Sequence, residues 1–487
     1  MTMLASLVAL AALLAGSVVL ATPHHRALSF NRPSFEYMNA GAAHTARLGD
    51  VHQGYPSCDP GVNQMSGYFN INTAQNKNYF YWAFESKGNP LIDPVILWMT
   101  GGPGCSSSLA TLVENGPCHI NMTTGELYSN PYSWNNAATI IYIDQPAGVG
   151  FSYADYPSGY DYNETMVAED MYWFLQAFYT AFPQYLSNDF FVYGESYGGH
   201  FAPATAHRVW EGIQKKQGLI LPLKGLSVGN GMTDPQVQFS YYSHLAYQWC
   251  RTVKGAPCIN ETTYQGILAA EPVCTGLIAQ CNGANGGNNT ACVDALNYCS
   301  NNIMGPYFNT GLNVYDIRVP CWVPGLCYNF TFVHDFMNSP AVQSSLGVLS
   351  QNITWHSCNM QVNGMFSADW TRNFQQLIPD LLKSNIRVLI YSGDMDFICN
   401  WLGNKAWTLE LPWSGQTSFA ATHDKPWYVD EVEAGMFRTV SNAKVNMLFN
   451  FVQIHGAGHM VPMDQPKRAL RMVQHFISDT PFYGYGS

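Results

Sequence analysis

Charge is what this 487-residue chain has least of: Lys, Arg, Asp and Glu together make up 11%, under half of the ~25% found in an ordinary soluble domain. The basic share is the smaller part, 22 Lys and Arg against 33 Asp and Glu, for a net charge of −11. So few cations cannot neutralise a phosphate backbone or hold an anionic bilayer, which argues against nucleic acid and anionic membranes as partners. No Cys-x-x-Cys pair occurs among the 13 cysteines, so the usual spacing of a structural zinc site is missing. Internal repeats, heptads and long charge runs are missing too. Beyond residues 3–21 no apolar run reaches the ~20 residues that a bilayer crossing needs.

What the chain does carry begins with export. Residues 3–21, MLASLVALAALLAGSVVLA, are uncharged and followed by TPHHR. They read as a secretory signal spanning 1–21, with Val19-Leu20-Ala21 or Ala15-Gly16-Ser17 suiting a signal peptidase. An uncleaved anchor is the rival reading of such a run; its many alanines and small-residue end favour cleavage, after which no membrane attachment is expected. Six N-x-[ST] sequons, at Asn121, Asn163, Asn260, Asn288, Asn329 and Asn352, fit passage through a glycosylating compartment. In an exported chain the cysteines suggest disulfides, and the odd number leaves at least one thiol unpaired in a monomer. Cys274, Cys281, Cys292 and Cys299 are spaced by 7, 11 and 7 residues, which suits nested bridges 274–299 and 281–292 without fixing that connectivity. The 14 histidines would charge at low pH and offset most of the negative balance, a composition suited to a vacuole, a lysosome or an acidic medium.

The length accommodates one large α/β core with an insertion, or two to three domains of ~100–200 residues each. Apolar runs at 79–84, 94–100, 138–144, 189–193, 223–230, 386–394 and 448–459 carry the strand signature. Helical patterns such as 165–182 and 201–216 lie between them, and the alternation predicts a mostly parallel sheet covered on both faces. From about 235 to 372 the cysteines cluster, GANGGNN interrupts, and the rhythm is lost. The expected organisation is a signal at 1–21, a propeptide or flexible N-terminus at 22–48, a core of 49–234 and 373–487, and a disulfide-held inserted cap at 235–372.

Chemistry concentrates at strand ends. YGESYGGHF (193–201) follows the run DFFVY, and Gly194 and Gly198 flank Ser196 in a G-x-S-x-G pattern, a sharp strand-to-helix turn that lifts a hydroxyl clear of a sheet. Partners for that serine should follow later strands. Asp394 and Asp396 follow one, and His455 and His459 follow the last, giving the order Ser, Asp, His without deciding between the members of each pair. WMTGGPGCSS (98–107) is a glycine turn after a strand, and the amides of Gly102 and Tyr197 are the expected oxyanion donors.

Taken together, GGPGCSS (101–107), GESYGG (194–199), GNG (229–231), GDMDFICNWLGNKAW (393–407) and HGAGHMVP (455–462) resemble the serine carboxypeptidases, over nearly everything from about residue 65 onward. The resemblance implies an α/β-hydrolase fold with an inserted disulfide-rich cap, and selects Ser196, Asp396 and His459 as the triad. It implies that Glu195 and Glu114 share protons with the C-terminal carboxylate of a peptide, which Thr100 and the Gly101 amide also bind. Three carboxyls at hydrogen-bonding distance cannot all ionise, so an acidic optimum is expected. Thr100 is a departure, since the family commonly has asparagine there.

The resemblance further pairs Cys105 with Cys358, Cys250 with Cys258, Cys274 with Cys299, Cys281 with Cys292 and Cys321 with Cys327, leaving Cys58 and Cys118 as a sixth pair. Cys399 would be the free thiol beside the substrate pocket, a mercurial-sensitive bystander, with Tyr197, Ile398 and Met460 as pocket walls. No metal or cofactor is implied, and the substrates are peptide or protein C-termini. The expected protein is an exported monomer or homodimer, secreted or vacuolar/lysosomal, that releases C-terminal residues through an acyl-enzyme on Ser196. Acyl transfer to an alcohol or amine is the alternative use of the same residues, and a protective or binding protein with incidental activity the alternative from another class.

Overall fold

The computed structural model describes residues 35–39, 42–55, 57–283, 287–323 and 325–482. Fourteen strands are defined among them. The first seven are β1 (Phe35–Asn39), β2 (Ala42–His52), β3 (Gln64–Asn72), β4 (Lys77–Phe84), β5 (Val95–Thr100), β6 (Cys118–Ile120) and β7 (Leu127–Ser129). The others are β8 (Thr139–Ile143), β9 (Phe190–Glu195), β10 (Leu223–Gly229), β11 (Arg387–Gly393), β12 (Lys425–Val429), β13 (Val432–Val440) and β14 (Phe449–Ile454). Twelve form one sheet in the order β1-β2-β3-β4-β8-β5-β9-β10-β11-β14-β13-β12, and β6 pairs with β7 alone. From β8 through β5, β9, β10 and β11 to β14 every neighbour is parallel. Both flanks are antiparallel.

The central strands read as unbroken apolar runs because both of their faces are covered. Alternate side chains of β5 divide cleanly: Val95, Leu97 and Met99 enter one apolar cluster, Ile96 and Trp98 the other. At ~1.5–3 kcal/mol for each fully buried large side chain, these two layers hold the sheet rigid. The helix Glu164–Ala181 packs on one layer; Asn163 caps it by accepting from the Met166 N–H at 3.1 Å. All elements between β10 and β11 are helical or irregular, and this is where the cap was expected.

Two expectations fall partly or wholly outside the described residues. The 22–48 stretch, read as a propeptide or flexible N-terminus, contains β1 and the start of β2, and β2 pairs with β3. Its strands escape a sequence reading because AAHTARLGDVH has no apolar run. The signal at 1–21 lies outside the described residues.

Candidate active site

Ser196 sits where β9 gives way to the helix Gly198–Lys215, with φ of 63°. That left-handed backbone is costly for a non-glycine residue and is held by neighbours on both sides. The Ser196 N–H donates to the Gly229 carbonyl at 3.1 Å, and its carbonyl accepts from Met232 at 3.0 Å. The flanking glycines are required by close approach: a Cβ on Gly194 would stand 2.3 Å from the Gly198 carbonyl oxygen, and one on Gly198 2.8 Å from that of Met99.

Both histidine–aspartate pairings open in the sequence exist. His459 Nδ1 lies 2.8 Å from Asp396 Oδ2, and His455 Nδ1 lies 2.7 Å from Asp394 Oδ2. Only the first borders the cleft that contains Ser196. Asp396 is fully buried; besides His459 it accepts from the Asn230 side-chain amide at 2.8 Å and from the backbone amides of Ile398 and Cys399 at 3.0 and 3.2 Å. Such a set of donors stabilises a carboxylate and fixes the imidazole tautomer with its proton on Nδ1. Asn230, held with φ of 39°, is a residue to which sequence reasoning gave no role. Its signal was present as the middle of GNG.

The glycine turn after β5 packs directly on the nucleophile turn, since a Cβ on Gly101 would stand 2.3 Å from the Tyr197 nitrogen. The Gly102 and Tyr197 amides have no backbone acceptor among the described residues, which leaves both for an oxyanion. Thr100 Oγ1 accepts from Trp98 Nε1 at 2.9 Å. With that lone pair committed, the hydroxyl proton is free to be donated. Thr100 and Gly101 both line the cleft.

Glu114 and Glu195 are both buried, in mutual hydrogen-bond contact, and each has an Oε2 with no other partner. Burial first, and then the other carboxyl, raises Glu195 well above the usual carboxylate range. Burial pushes Glu114 up to about 7. At acid and neutral pH the pair therefore holds a proton. Its base is braced by His119, whose Nε2 meets the Glu114 carbonyl at 3.0 Å.

These groups converge on a cleft of about 220 Å³ walled by Leu109, Tyr315, Leu326, Tyr328, Phe330 and Met460. Larger grooves of about 850 and 490 Å³ lie elsewhere and contain none of the triad. Of the expected pocket walls, Met460 lines the cleft; Tyr197, Ile398 and Cys399 are not in its lining. Ile398 and Cys399 instead serve Asp396 through their amides. The Cys399 thiol reaches the Ser196 hydroxyl from the buried side, and burial holds it protonated. Asp396, Cys399 and His459 do bring three metal-type ligand atoms within 4.8 Å of one another. A protonated thiol and a carboxylate already taken by four donors are poor ligands.

The described cysteines form the bridges Cys58–Cys118, Cys105–Cys358, Cys250–Cys258, Cys274–Cys299, Cys281–Cys292 and Cys321–Cys327, with Cys399 free. Cys105–Cys358 ties the glycine turn to the inserted stretch across 253 residues. The sequon residues Asn121, Asn260, Asn288, Asn329 and Asn352 are exposed, and Asn163 is half-buried at its helix cap.

Known proteins resemble this chain in sequence and in fold. The family profile described as serine carboxypeptidase matches residues 56–479. Serine carboxypeptidase-like 48 of Arabidopsis thaliana is 40% identical over 414 residues, covering 85% of this chain and 77% of that protein. Carboxypeptidase Y of Candida albicans is 41% identical over 420 residues, covering 86% and 73%. Among solved structures, Kex1(delta)p, a prohormone-processing carboxypeptidase from Saccharomyces cerevisiae, is similar with a TM-score of 0.74 and 26% identity, over 88% of this chain and 94% of that one.

Proposed function

Because the chain belongs to the serine carboxypeptidase family and is accordingly a serine-type exopeptidase acting at peptide C-termini, we propose that Ser196, Asp396 and His459 carry out the cleavage at acidic pH. The carrying observation is convergence: His459, Ser196 and the Glu114–Glu195 acid pair open on one cleft of about 220 Å³.

In this reading His459 Nε2 takes the Ser196 proton as Oγ attacks the last peptide carbonyl, and the Gly102 and Tyr197 amides receive the oxyanion. Asp396 keeps the imidazole oriented and stabilises its charged form. His459 returns the proton to the leaving amine, and water then resolves the acyl-enzyme by the same steps. The departing residue's carboxylate takes hydrogen bonds from the Thr100 hydroxyl, the Gly101 amide and the protonated acid pair. As pH rises past the raised values of Glu114 and Glu195, the pair loses its proton and repels the substrate carboxylate. Peptide cleavage should therefore decline on the alkaline side. No step calls on a metal or an organic cofactor.

Export and residence outside the cell or in a vacuole or lysosome are the finer part of the proposal. Six disulfides and sequons on accessible positions support it. No described helix is long and apolar enough to cross a membrane.

The test is a matched pair of substrates, a blocked dipeptide with a free C-terminal carboxylate and its C-terminal amide, assayed from about pH 4 to 8 on wild type and Ser196→Ala. Rapid acid-side release from the free acid, weak cleavage of the amide and loss of both in the mutant are expected. Equal cleavage of acid and amide at every pH would show that the carboxylate is not read and would sink the proposed role of the acid pair.

A further inference from the structure

A second pair of buried acids stands behind the nucleophile and takes no part in the steps above. Glu164 opens the helix Glu164–Ala181, and Asp369 lies near the end of the inserted stretch, ahead of β11. Both are at most 2% exposed. They meet at Tyr197, whose Oη donates to Asp369 Oδ2 at 3.0 Å. Glu164 lies against Asp369 and Tyr197, and both of its buried carboxyl oxygens lack a donor of their own. Two carboxylates in that position cannot both be ionised, so the contact closes only when one holds a proton.

The surroundings decide which. Burial, then the charge of Asp369, raises Glu164 well above the carboxylate range. Burial raises Asp369 as well, yet it accepts from the Tyr197 hydroxyl and faces the Arg372 guanidinium at 3.9 Å, whereas neither Glu164 oxygen has a donor. Asp161, which adds to the negative potential at Glu164, is tied to Lys77 at 2.7 Å, and Lys77 also pairs with Asp170. On the other side His200 stacks on the Tyr197 ring at 4.3 Å and is kept neutral by burial. Glu164 is thus the proton holder, and Asp369 the charged acceptor.

We propose that Glu164, protonated against Asp369, is a positioning residue for catalysis: the pair clamps the Tyr197 side chain and through it the amide that faces the developing oxyanion. This rests on the reading of Tyr197 as an oxyanion donor. Once Glu164 ionises, two adjacent carboxylates repel, the clamp opens, and kcat falls for every substrate. The Glu114–Glu195 pair differs, because it matters only to substrates with a free carboxylate.

A p-nitrophenyl ester without a free carboxylate isolates the effect. Glu164→Ala should lower its kcat about tenfold with KM changed less than about twofold. Glu164→Gln, whose amide still donates to Asp369 but does not titrate, should restore most of that loss. It should also hold kcat level at alkaline pH where wild type declines. Tyr197→Phe should lose roughly three- to tenfold in kcat. Should Glu164→Ala not fold, the Gln and Phe variants decide alone. A Glu164→Gln profile that tracks wild type at every pH, or a Tyr197→Phe kcat equal to wild type, would overturn the inference. Ser196→Ala separates the two failures: ester turnover surviving in it would mean that the site itself is misassigned, whereas its loss alongside a wild-type profile in Glu164→Gln would defeat only the clamp.

Discussion

The two histidine–aspartate pairs are nearly identical as hydrogen bonds, 2.8 Å for His459–Asp396 and 2.7 Å for His455–Asp394. They follow the same two strands, β11 and β14. What separates them is the second nitrogen. His459 is buried and borders the cleft that holds Ser196. His455 is about one-third exposed, and its Nε2 lies 3.5 Å from Glu433 on β13. The aspartates differ in the same sense: Asp394 accepts from Gln453 and the Gly456 amide and so ties the end of β14 to β11, whereas Asp396 is held by Asn230 and the amides of its own turn. A His–Asp bond is therefore no evidence of catalysis until its far side is known.

Substitution should split the pairs widely. His459→Gln should lower kcat on the order of 10⁴-fold or more in ester hydrolysis, and Asp396→Asn by a similar factor through the wrong tautomer. His455→Gln and Asp394→Asn should stay within about threefold, as changes outside the site do. Comparable losses from both sets would erase the distinction. A narrower split is expected one shell out. Asn230→Ala removes one of the donors to Asp396 and should cost roughly ten- to a hundredfold in kcat, while Gln453→Ala at Asp394 should cost less than about twofold. If Asn230→Ala altered only thermal stability, Asp396 would be adequately held by its own turn.

Acidity sharpens the contrast, because the Glu114–Glu195 pair flanks His459 and not His455. Glu195→Gln cannot titrate, so the alkaline decline of peptide kcat/KM should flatten relative to wild type; turnover of a carboxylate-free ester should keep its profile. The sign follows from raised folded values, which keep the acids protonated and permissive at low pH and switch them to repulsion as pH rises. An unchanged peptide profile in Glu195→Gln would transfer the pH dependence to another group.

Much of this was legible because doubly covered strands advertise themselves as apolar runs and catalytic turns sit at their ends. All seven such runs overlap strands of the central region, from β4 to β14. The strands without that signature were invisible: β2 is small and polar, and β13 (VEAGMFRTV) alternates too weakly on a half-exposed flank. At the site, spacing could name both aspartates and both histidines but could not choose, since the choice depends on which imidazole faces Ser196 across the sheet. Thr100 looked like a deficiency in the sequence. The Trp98 indole that frees its proton lies two residues away on the same strand, and no pattern rule connects them.

The smallest expected effect belongs to the structural pair. The hydrogen bond that His455 donates to Asp394 raises the pKa of His455 above its ordinary value. A raised folded value means that the stability this pair contributes is fully present below the unfolded value and is lost as pH climbs through the folded one. The comparison to make is the melting temperature of His455→Gln against wild type at an acidic and an alkaline pH. The variant should melt about 1–2 °C lower on the acid side, where wild-type His455 carries its charge beside Asp394 and Glu433, and match wild type on the alkaline side. A difference of the same size at both pH values would mean that the ring acts by packing and neutral hydrogen bonding alone. Asp394–His455 would then lack even the electrostatic likeness to the catalytic pair.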